Sequence, residues 1–365
     1  MNKHTKGDLK QMQSLPLRMK LRMTEQRVMQ WYDFYHNEVY VAFSGGKDST
    51  VLSDICANCC KFIGATLYLV FVNTGLEYPE IQKFVKDHAQ YLRDKYGIEV
   101  VLEILRPKLR FDEVIKTYGY PLISKEVSKC VSSAKRLDSK YGQVCRERLQ
   151  GTHKQKSGEP SLFNCAKYEP LLDVDFNISH RCCDVMKKMP SHDYAKQTGR
   201  KPMTAQMASE SRLREQQWIK FGCNGFDMNS PVSNPMSFWT EQDVLQYIKE
   251  NELPIASVYG EIEYTSDPEQ MRIEDLGIGC EGCDELRTTG CQRTGCIFCC
   301  FGLHREQSPS RFEKLKETHP RQYEYCIGGG EYNEDGVWQP NKQGLGMGHV
   351  FEELNRIFGD GFIKY

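Results

Sequence analysis

The stretch that most constrains this chain runs from Val39 to Leu52. Val39-Tyr40-Val41-Ala42-Phe43 is a short β-branched and aromatic run, and it breaks at Ser44-Gly45-Gly46-Lys47-Asp48-Ser49. Apolar residues at helical spacing follow (Val51, Leu52, Ile55). Strand, glycine turn and helix start aim free backbone N–H groups and a helix N-terminus at one point, which makes an anion site suited to phosphate. Gly45 and Gly46 let the backbone approach the anion without a Cβ in the way. Ser44 and Ser49 add hydroxyl donors, and Lys47 adds a cation. A Walker loop needs four residues between its first Gly and the Gly-Lys pair, so this is a different phosphate loop.

The segments behind the loop repeat the same alternation. Thr66 to Val72 is a continuous apolar run, the signature of a strand buried on both faces, and it ends in Asn73-Thr74-Gly75. A helix is expected over Ile81–Tyr96 and a third strand over Val100–Leu105. Strands alternating with helices of this length imply right-handed crossovers and an α/β fold, a doubly wound, mostly parallel sheet. Ligands of such sheets sit beyond the C-terminal strand ends, where Ser44–Ser49 and Asn73–Gly75 both fall. A helix over 17–36 feeds the first strand, and residues before it read as a mobile polar lead-in. A basic helical stretch runs from Lys125 to about Leu149. Thr240 as N-cap with Asp243 three residues on starts another helix through Val244, Leu245 and Ile248. Further helix signals lie at Arg311–Lys316 and Phe351–Phe358.

The formal net charge of the 365 residues is -1, so no global field draws the chain to nucleic acid or membrane. Local asymmetry exists: residues 125–156 hold nine Lys/Arg against Glu126, Asp138 and Glu147. Nucleic acid is therefore carried as one candidate partner beside the reading of a solvated helix face. No apolar run is long enough to cross a bilayer, and Met-Asn-Lys-His-Thr-Lys lacks the apolar core of a signal peptide. A cytoplasmic location without membrane association is the expectation, with a homodimer as the oligomeric one.

Sixteen cysteines in such a setting point to metal or redox chemistry rather than disulfides. Cys280, Cys283, Cys291, Cys296, Cys299 and Cys300 fall within 21 residues, too dense for core filler. Two Cys-x2-Cys pairs (Cys280, Cys283, Cys296, Cys299) suit tetrahedral Zn2+. The distant tandem pair Cys182-Cys183 argues for a larger group, because adjacent thiols reach different irons of a cube more easily than one zinc.

The order of these motifs resembles the phosphoadenosine phosphosulfate (PAPS) reductase family of PP-loop proteins, adenine nucleotide α-hydrolases, over roughly residues 25–305. Ser44–Ser49 is similar to the PP-loop that grips nucleotide phosphates. Asn73-Thr74-Gly75 resembles the family's second strand end. Ile123-Ser124-Lys125-Glu126 is similar to a segment that brings a lysine toward the phosphates. Arg181-Cys182-Cys183 resembles the tandem-cysteine motif of the iron–sulfur members. Thr204, Glu210, Ser211 and Arg214 align with Thr-Gly-x-Arg-x-x-Glu-Ser-x-x-Arg, and Asn234-Pro235 through Val244 with the segment after it. The resemblance implies nucleotide binding by Ser44, Gly45, Gly46, Lys47, Asp48, Ser49, Asn73, Thr74, Gly75, Thr204, Glu210 and Ser211. It implies catalysis by Lys47, Asp48, Lys125, Arg214 and Cys182, and one [4Fe-4S] cluster on Cys182, Cys183, Cys296 and Cys299. The acidic, turn-rich stretch 260–275 reads as a boundary, and the expected division is a flexible basic lead-in (1–20), a nucleotide-binding domain (21–260), and a cysteine-rich iron–sulfur region with a C-terminal tail (261–365).

The departures set the choice of reaction. Ala205 and Met207 stand at the Gly and first Arg of the Thr-Gly-x-Arg motif, and Met186 where the tandem-cysteine motif has Arg. Both methionines remove cations that a sulfonucleotide's anionic groups use. The reductases' terminal Glu-Cys-Gly-x-His is also missing; Cys326 lies in Tyr325-Cys326-Ile327-Gly328. Ser-Gly-Gly-Lys-Asp-Ser is the loop version of members that split ATP into AMP and pyrophosphate. The leading expectation is an ATP-dependent sulfurtransferase, with Mg2+ and a sulfur donor, acting on an adenylated acceptor. Sulfonucleotide reduction, with PAPS and a thiol reductant protein, is the alternative. A non-catalytic nucleotide-binding module with a structural metal site is the third.

Overall fold

The computed structural model describes residues 2–136, 138–265 and 285–365; Cys280, Cys283 and most of the acidic stretch before them lie outside this set. In chain order the strands are β1 (Val39–Ala42), β2 (Leu67–Val72), β3 (Val100–Leu105), β4 (Leu122–Ile123), β5 (Lys201–Met203), β6 (Asn224–Gly225), β7 (Val232–Ser233), β8 (Ile262–Tyr264), β9 (Leu286–Thr288), β10 (Cys300–Phe301), β11 (Glu331–Tyr332) and β12 (Trp338–Gln339). The helices are α1 (Lys6–Gln13), α2 (Leu17–Phe34), α3 (Lys47–Ile63), α4 (Pro79–Tyr96), α5 (Phe111–Tyr118), α6 (Lys125–Ala134) and α7 (Lys140–Leu149). They continue with α8 (Met189–Thr198), α9 (Arg212–Phe221), α10 (Glu241–Glu250), α11 (Arg311–Thr318), α12 (Pro320–Ile327) and α13 (Met347–Phe358). None of the described helices is long and apolar enough to cross a membrane.

Two compact units are built from interleaved segments. The first comprises Met1–Asn73, Glu77–Leu105 and Ser191–Thr294; the second comprises Thr74–Leu76, Arg106–Pro190 and Gly295–Tyr365.

The first unit is organised by a six-stranded sheet in the order β3-β2-β1-β5-β7-β6, parallel except for the antiparallel β6–β7 edge. The apolar run that signals β1 buries Val39, Val41 and Phe43 completely or nearly so. β2 continues to one side of β1 and β5 to the other, through Val41↔Leu69 and Val41↔Met203. The strand order therefore reverses at the C-terminal end of β1, where an open α/β sheet leaves its ligand crevice. The sheet is mostly parallel and doubly wound, as the alternation of segments implies. Helix α3 leaves that point and packs against α2, α4 and α10. Its hydrophobic and polar residues are buried almost without interruption from Ser49 to Ala57.

The lead-in, expected to be mobile, holds a helix: α1 forms because Thr5 and Asp8 make a reciprocal capping box, and Leu9 is buried. The basic helical stretch 125–149 consists of two helices, since Ser139 caps a new start with its hydroxyl accepting from the Gly142 N–H. The Thr240–Asp243 capping box at α10 forms as its spacing indicates.

In the second unit, α5, α6 and α7 and the C-terminal helices α11–α13 surround small strand pairs. β4 and β10 pair in parallel, Leu122 opposite Cys300 and Ile123 opposite Phe301, which fixes the downstream end of the cysteine segment. A 3-10 segment at Ala166–Leu172 follows Cys165, and a π-turn at Asp184–Lys188 follows the tandem cysteines.

Candidate functional site

The loop between β1 and α3 has the shape its sequence requires. Gly45 takes φ +72°, and a Cβ there would meet Ile81 Cγ2 at 2.9 Å and Val85 Cγ2 at 3.0 Å, so only glycine fits. Gly46 is the N-cap of α3 and brings no capping side chain of its own. The hydroxyls of Ser44 and Ser49 stand 3.0 Å apart, and Ser49 Oγ donates to the Gly46 carbonyl at 2.9 Å. The Gly46 N–H donates to Ser44 Oγ and the Lys47 N–H to Tyr259 Oη, each at 3.3 Å. Tyr259 Oη in turn is hydrogen-bonded to Thr294 Oγ1 at 2.5 Å. Both loop amides thus end on rotatable hydroxyl oxygens, at the long end of hydrogen-bond range. A phosphate oxygen offers the same acceptor chemistry with a negative charge added.

Charge is concentrated around this loop. Lys47 is buried, its Nζ lies 3.2 Å from Glu241 Oε1 at the first turn of α10, and the Tyr259 ring centroid is 5.4 Å away. Burial raises the Asp48 carboxyl above its ordinary range, while Lys47, Arg293 and Arg214 pull it down and Glu241 pushes it up. Burial lowers the Arg214 guanidinium, and the neighbouring Arg293 lowers it further against the pull of Asp48. Lys47, Arg214 and Arg293 therefore share one neighbourhood with Asp48, Glu241 and, through its ion pair with Arg214, Glu210.

Of these, Tyr259, Glu241, Arg293 and Thr294 were not singled out by sequence. Glu241 carries only the ordinary signal of an acid in a helix's first turn. Arg293 and Thr294 read as flanks of the cysteine cluster. Tyr259 gives no local signal.

The remaining expected residues fall in two groups. In the first unit Thr204 hydrogen-bonds Asn234 across the β5–β7 edge, and its N–H donates to the Ser233 carbonyl at 2.8 Å. Glu210 accepts from the Met207 N–H at 2.8 Å and ion-pairs with Arg214. Ser211 caps α9, accepting from the Arg214 N–H. Glu210 and Ser211 hold Arg214 in place. Asn73 closes the end of β2, its N–H donating to the Leu105 carbonyl at 2.8 Å. In the second unit Thr74 Oγ1 accepts from the Leu76 N–H, Gly75 takes φ +75°, and Lys125 is an exposed first-turn residue of α6 behind the Ser124 cap.

The four thiols expected to act together all belong to the second unit, with Cys183, Cys296 and Cys299 near enough to act electrostatically on Cys182. Cys182 is buried just before the π-turn, and burial pushes its thiol well above the ordinary range; Cys183, Cys296 and Cys299 push it further in the same direction. The Cys296–Cys299 turn closes with a Cys299 N–H donating to the Cys296 carbonyl at 3.0 Å, and Arg311 Nη1 donates to the Cys299 carbonyl at 3.2 Å. Among the described residues, no three His, Cys, Asp or Glu side chains stand within metal-holding reach. The donor chemistry nonetheless suits a cluster: four thiols, two from a helical turn and two from a Cys-x2-Cys turn, the donor set that iron–sulfur clusters take. Cys300 and Cys326 are different, fully buried with both sulfurs against Met347 Sδ at 3.7 and 3.4 Å. Cys291 lies in the first unit, its N–H bonded to the Val258 carbonyl.

The model of the phosphoadenosine phosphosulfate reductase domain matches residues 38–143 and 125–300. An uncharacterised protein of Methanocaldococcus jannaschii is 39% identical over 90 residues, a stretch that covers 25% of this chain and 17% of that protein. Among solved structures, the NMN synthetase of Francisella tularensis is similar with a TM-score of 0.34 at 13% identity, covering 73% of this chain and 83% of that one. The U34-tRNA thiolase of Methanococcus maripaludis with its [4Fe-4S] cluster is similar with a TM-score of 0.32 at 16% identity, covering 65% and 66%. The phosphate loop at the sheet's switch point and the family match over more than half of the sequence lead to one conclusion: the chain belongs to the phosphoadenosine phosphosulfate reductase domain family of PP-loop proteins.

Proposed function

We propose that this chain is an ATP-dependent sulfurtransferase that activates an acceptor oxygen by adenylation, releases pyrophosphate, and then exchanges AMP for sulfur. The observation that carries this reading is the Ser44–Ser49 loop, set at the switch point with Lys47, Arg214 and Arg293 around it. Lys47 exchanges its contact with Glu241 for an oxygen of the phosphate chain. Ser44, Ser49 and the first amides of α3 take the other oxygens, and the two arginines offset the charge that develops as pyrophosphate leaves. Asp48 and Glu241 are the carboxylates to which Mg2+ is assigned, since that ion binds through one or two carboxylates plus substrate phosphates. The Cys182, Cys183, Cys296 and Cys299 thiols are assigned to a [4Fe-4S] cluster, whose chemistry is to hold or pass on the sulfur.

Two further observations favour this over reduction of a sulfonucleotide. Cys326, the one cysteine after the cluster segment, has no exposed surface inside α12 and its thiol is raised well above the ordinary range by burial, so it is a core residue rather than a nucleophile. Met186 and Met207, standing where the reductases carry arginine, are core residues too. The acceptor is assigned by class only, as an oxygen-bearing group; a nucleic acid base is one such acceptor.

Anaerobically purified protein with iron and sulfide restored tests the reading, with ATP or PAPS supplied in parallel and total RNA present as a pool of acceptor base oxygens. Pyrophosphate and AMP from ATP are the expected products. Sulfite from PAPS with a thiol reductant would replace this reading by reduction, and nucleotide binding with neither product would leave a binding module.

A further inference from the structure

A second set of thiols lies in the second unit, outside those assigned to the cluster. Cys130, on α6, is buried, and its sulfur lies 4.0 Å from that of Cys165, which is partly exposed at the start of the 3-10 segment. Cys130 Sγ also donates to the Cys145 carbonyl at 3.3 Å. The groups acting on Cys130 are Cys165, Cys145 and Arg148, whereas those acting on Cys182 are Cys183, Cys296, Cys299 and Lys187, so the two sets are distinct. Arg148 fastens the pair from both sides. Its Nη2 holds Glu126 on α6 at 2.9 Å, its Nε donates to the Phe163 carbonyl at 2.9 Å, and its own carbonyl accepts from the Cys165 N–H at 2.8 Å.

We propose that Cys130 and Cys165 form a reversible dithiol–disulfide site that exchanges with small-molecule disulfides through the partly exposed Cys165. Cys165 carries the accessible surface of the pair while Cys130 is buried, and the contact with Cys130 lowers the Cys165 thiol, with Arg148 adding to this and burial opposing it, as the Cys130 thiol is raised. Cys165 is therefore the attacking thiolate. It opens the small disulfide, forming a mixed disulfide and releasing one thiolate. Cys130 then attacks the Cys165 sulfur, forming the internal bond, and its proton leaves with the second released thiol. One small disulfide is reduced to two thiols as the protein dithiol is oxidised. Bond formation closes the sulfurs from 4.0 Å to about 2 Å, a movement within reach of a side-chain rotation at Cys165. The resulting link spans 35 residues of sequence and joins α6 to the segment after Phe163.

The test uses the full chain, reduced and kept anaerobic, treated with oxidised glutathione, alkylated and mapped by mass spectrometry. The expected product is a peptide pair joined through Cys130 and Cys165, formed faster as pH rises and reversed by dithiothreitol. In Cys130→Ser, Cys165 stops at the mixed disulfide with glutathione. In Cys165→Ser, Cys130 stays reduced, with modification slowed at least tenfold. Absence of the joined pair in the wild-type chain overturns the proposal, as does Cys130 reacting equally fast without Cys165. The wild-type map decides the matter even if a variant fails to fold.

Discussion

At Gly45 the loop's sequence and its geometry meet in one atom. A methyl group there faces both a left-handed φ and two side chains of α4 at 3.0 Å or less. Gly45→Ala is expected to cost about 1–3 kcal/mol of stability in urea unfolding and to abolish nucleotide binding. Gly64→Ala is the control: φ is +69° but no atom lies within 4 Å, so about 1 kcal/mol is lost and binding is kept. Glu241 makes the opposite prediction. It holds Lys47 through a partly exposed ion pair, a contact of about 0–1 kcal/mol, so Glu241→Gln should tighten Mg2+-free ATP binding up to about fivefold. Weaker Mg2+-free binding in that variant would show that Glu241 helps to hold the nucleotide. The legible part of the site was the contiguous part. Ser44 to Ser49 declare their chemistry by adjacency, whereas Tyr259, Glu241 and Arg293 reach the loop only through the fold.

Among the elements, α3 carries the site and the rest of the first unit holds α3. Asp54 on α3 is buried and accepts from Lys95 Nζ and Tyr96 Oη at 3.0 Å and from Tyr247 Oη at 2.8 Å, joining α3 to α4 and α10. Asp54→Ala leaves three donors facing a void, and a loss of about 3–5 kcal/mol is expected in thermal or urea unfolding. His88 on α4 joins the same helix by a 2.9 Å contact with Ser53 Oγ, between the rings of Phe43 and Phe84. Burial, with a smaller push from Lys95, lowers its imidazole to about 3. The folded state therefore resists a proton that the unfolded chain accepts near pH 6.5. The contribution is complete above pH 6.5 and is lost as pH falls toward 3, by about 3 kcal/mol between pH 6.5 and 4. His88→Gln should flatten the acid side of the stability profile, and an unchanged slope would place the proton elsewhere. The alternation of apolar runs and amphipathic segments made β1, α3, β2, α4 and β3 readable in order, because each is decided by its own residues. The break between α6 and α7 was not, since it depends on a single serine cap inside an evenly basic stretch.

Over the whole molecule, the chain is threaded through two units, and segments 74–76 and 106–190 leave the first unit before 191–294 return to it. No composition shift marks these crossings, because each unit draws its core from pieces distant in sequence. The same threading explains why spacing alone could not allot the cysteines. Cys300 and Cys326 sit in the core against Met347, while Cys182 and Cys183 join Cys296 and Cys299 from more than a hundred residues away. Cys182→Ser and Cys299→Ser should each lower iron content in anaerobic preparations and leave ATP binding within about twofold, since the phosphate loop belongs to the first unit. Iron unchanged in both would remove the cluster assignment. Everything else in the account depends on the loop after β1 holding nucleotide phosphates, and calorimetric titration of wild-type chain and Lys47→Ala with ATP measures that directly. Loss of one charged hydrogen-bond partner, about 1.5–3 kcal/mol, should weaken binding by at least about tenfold; equal affinities for the two proteins would contradict it.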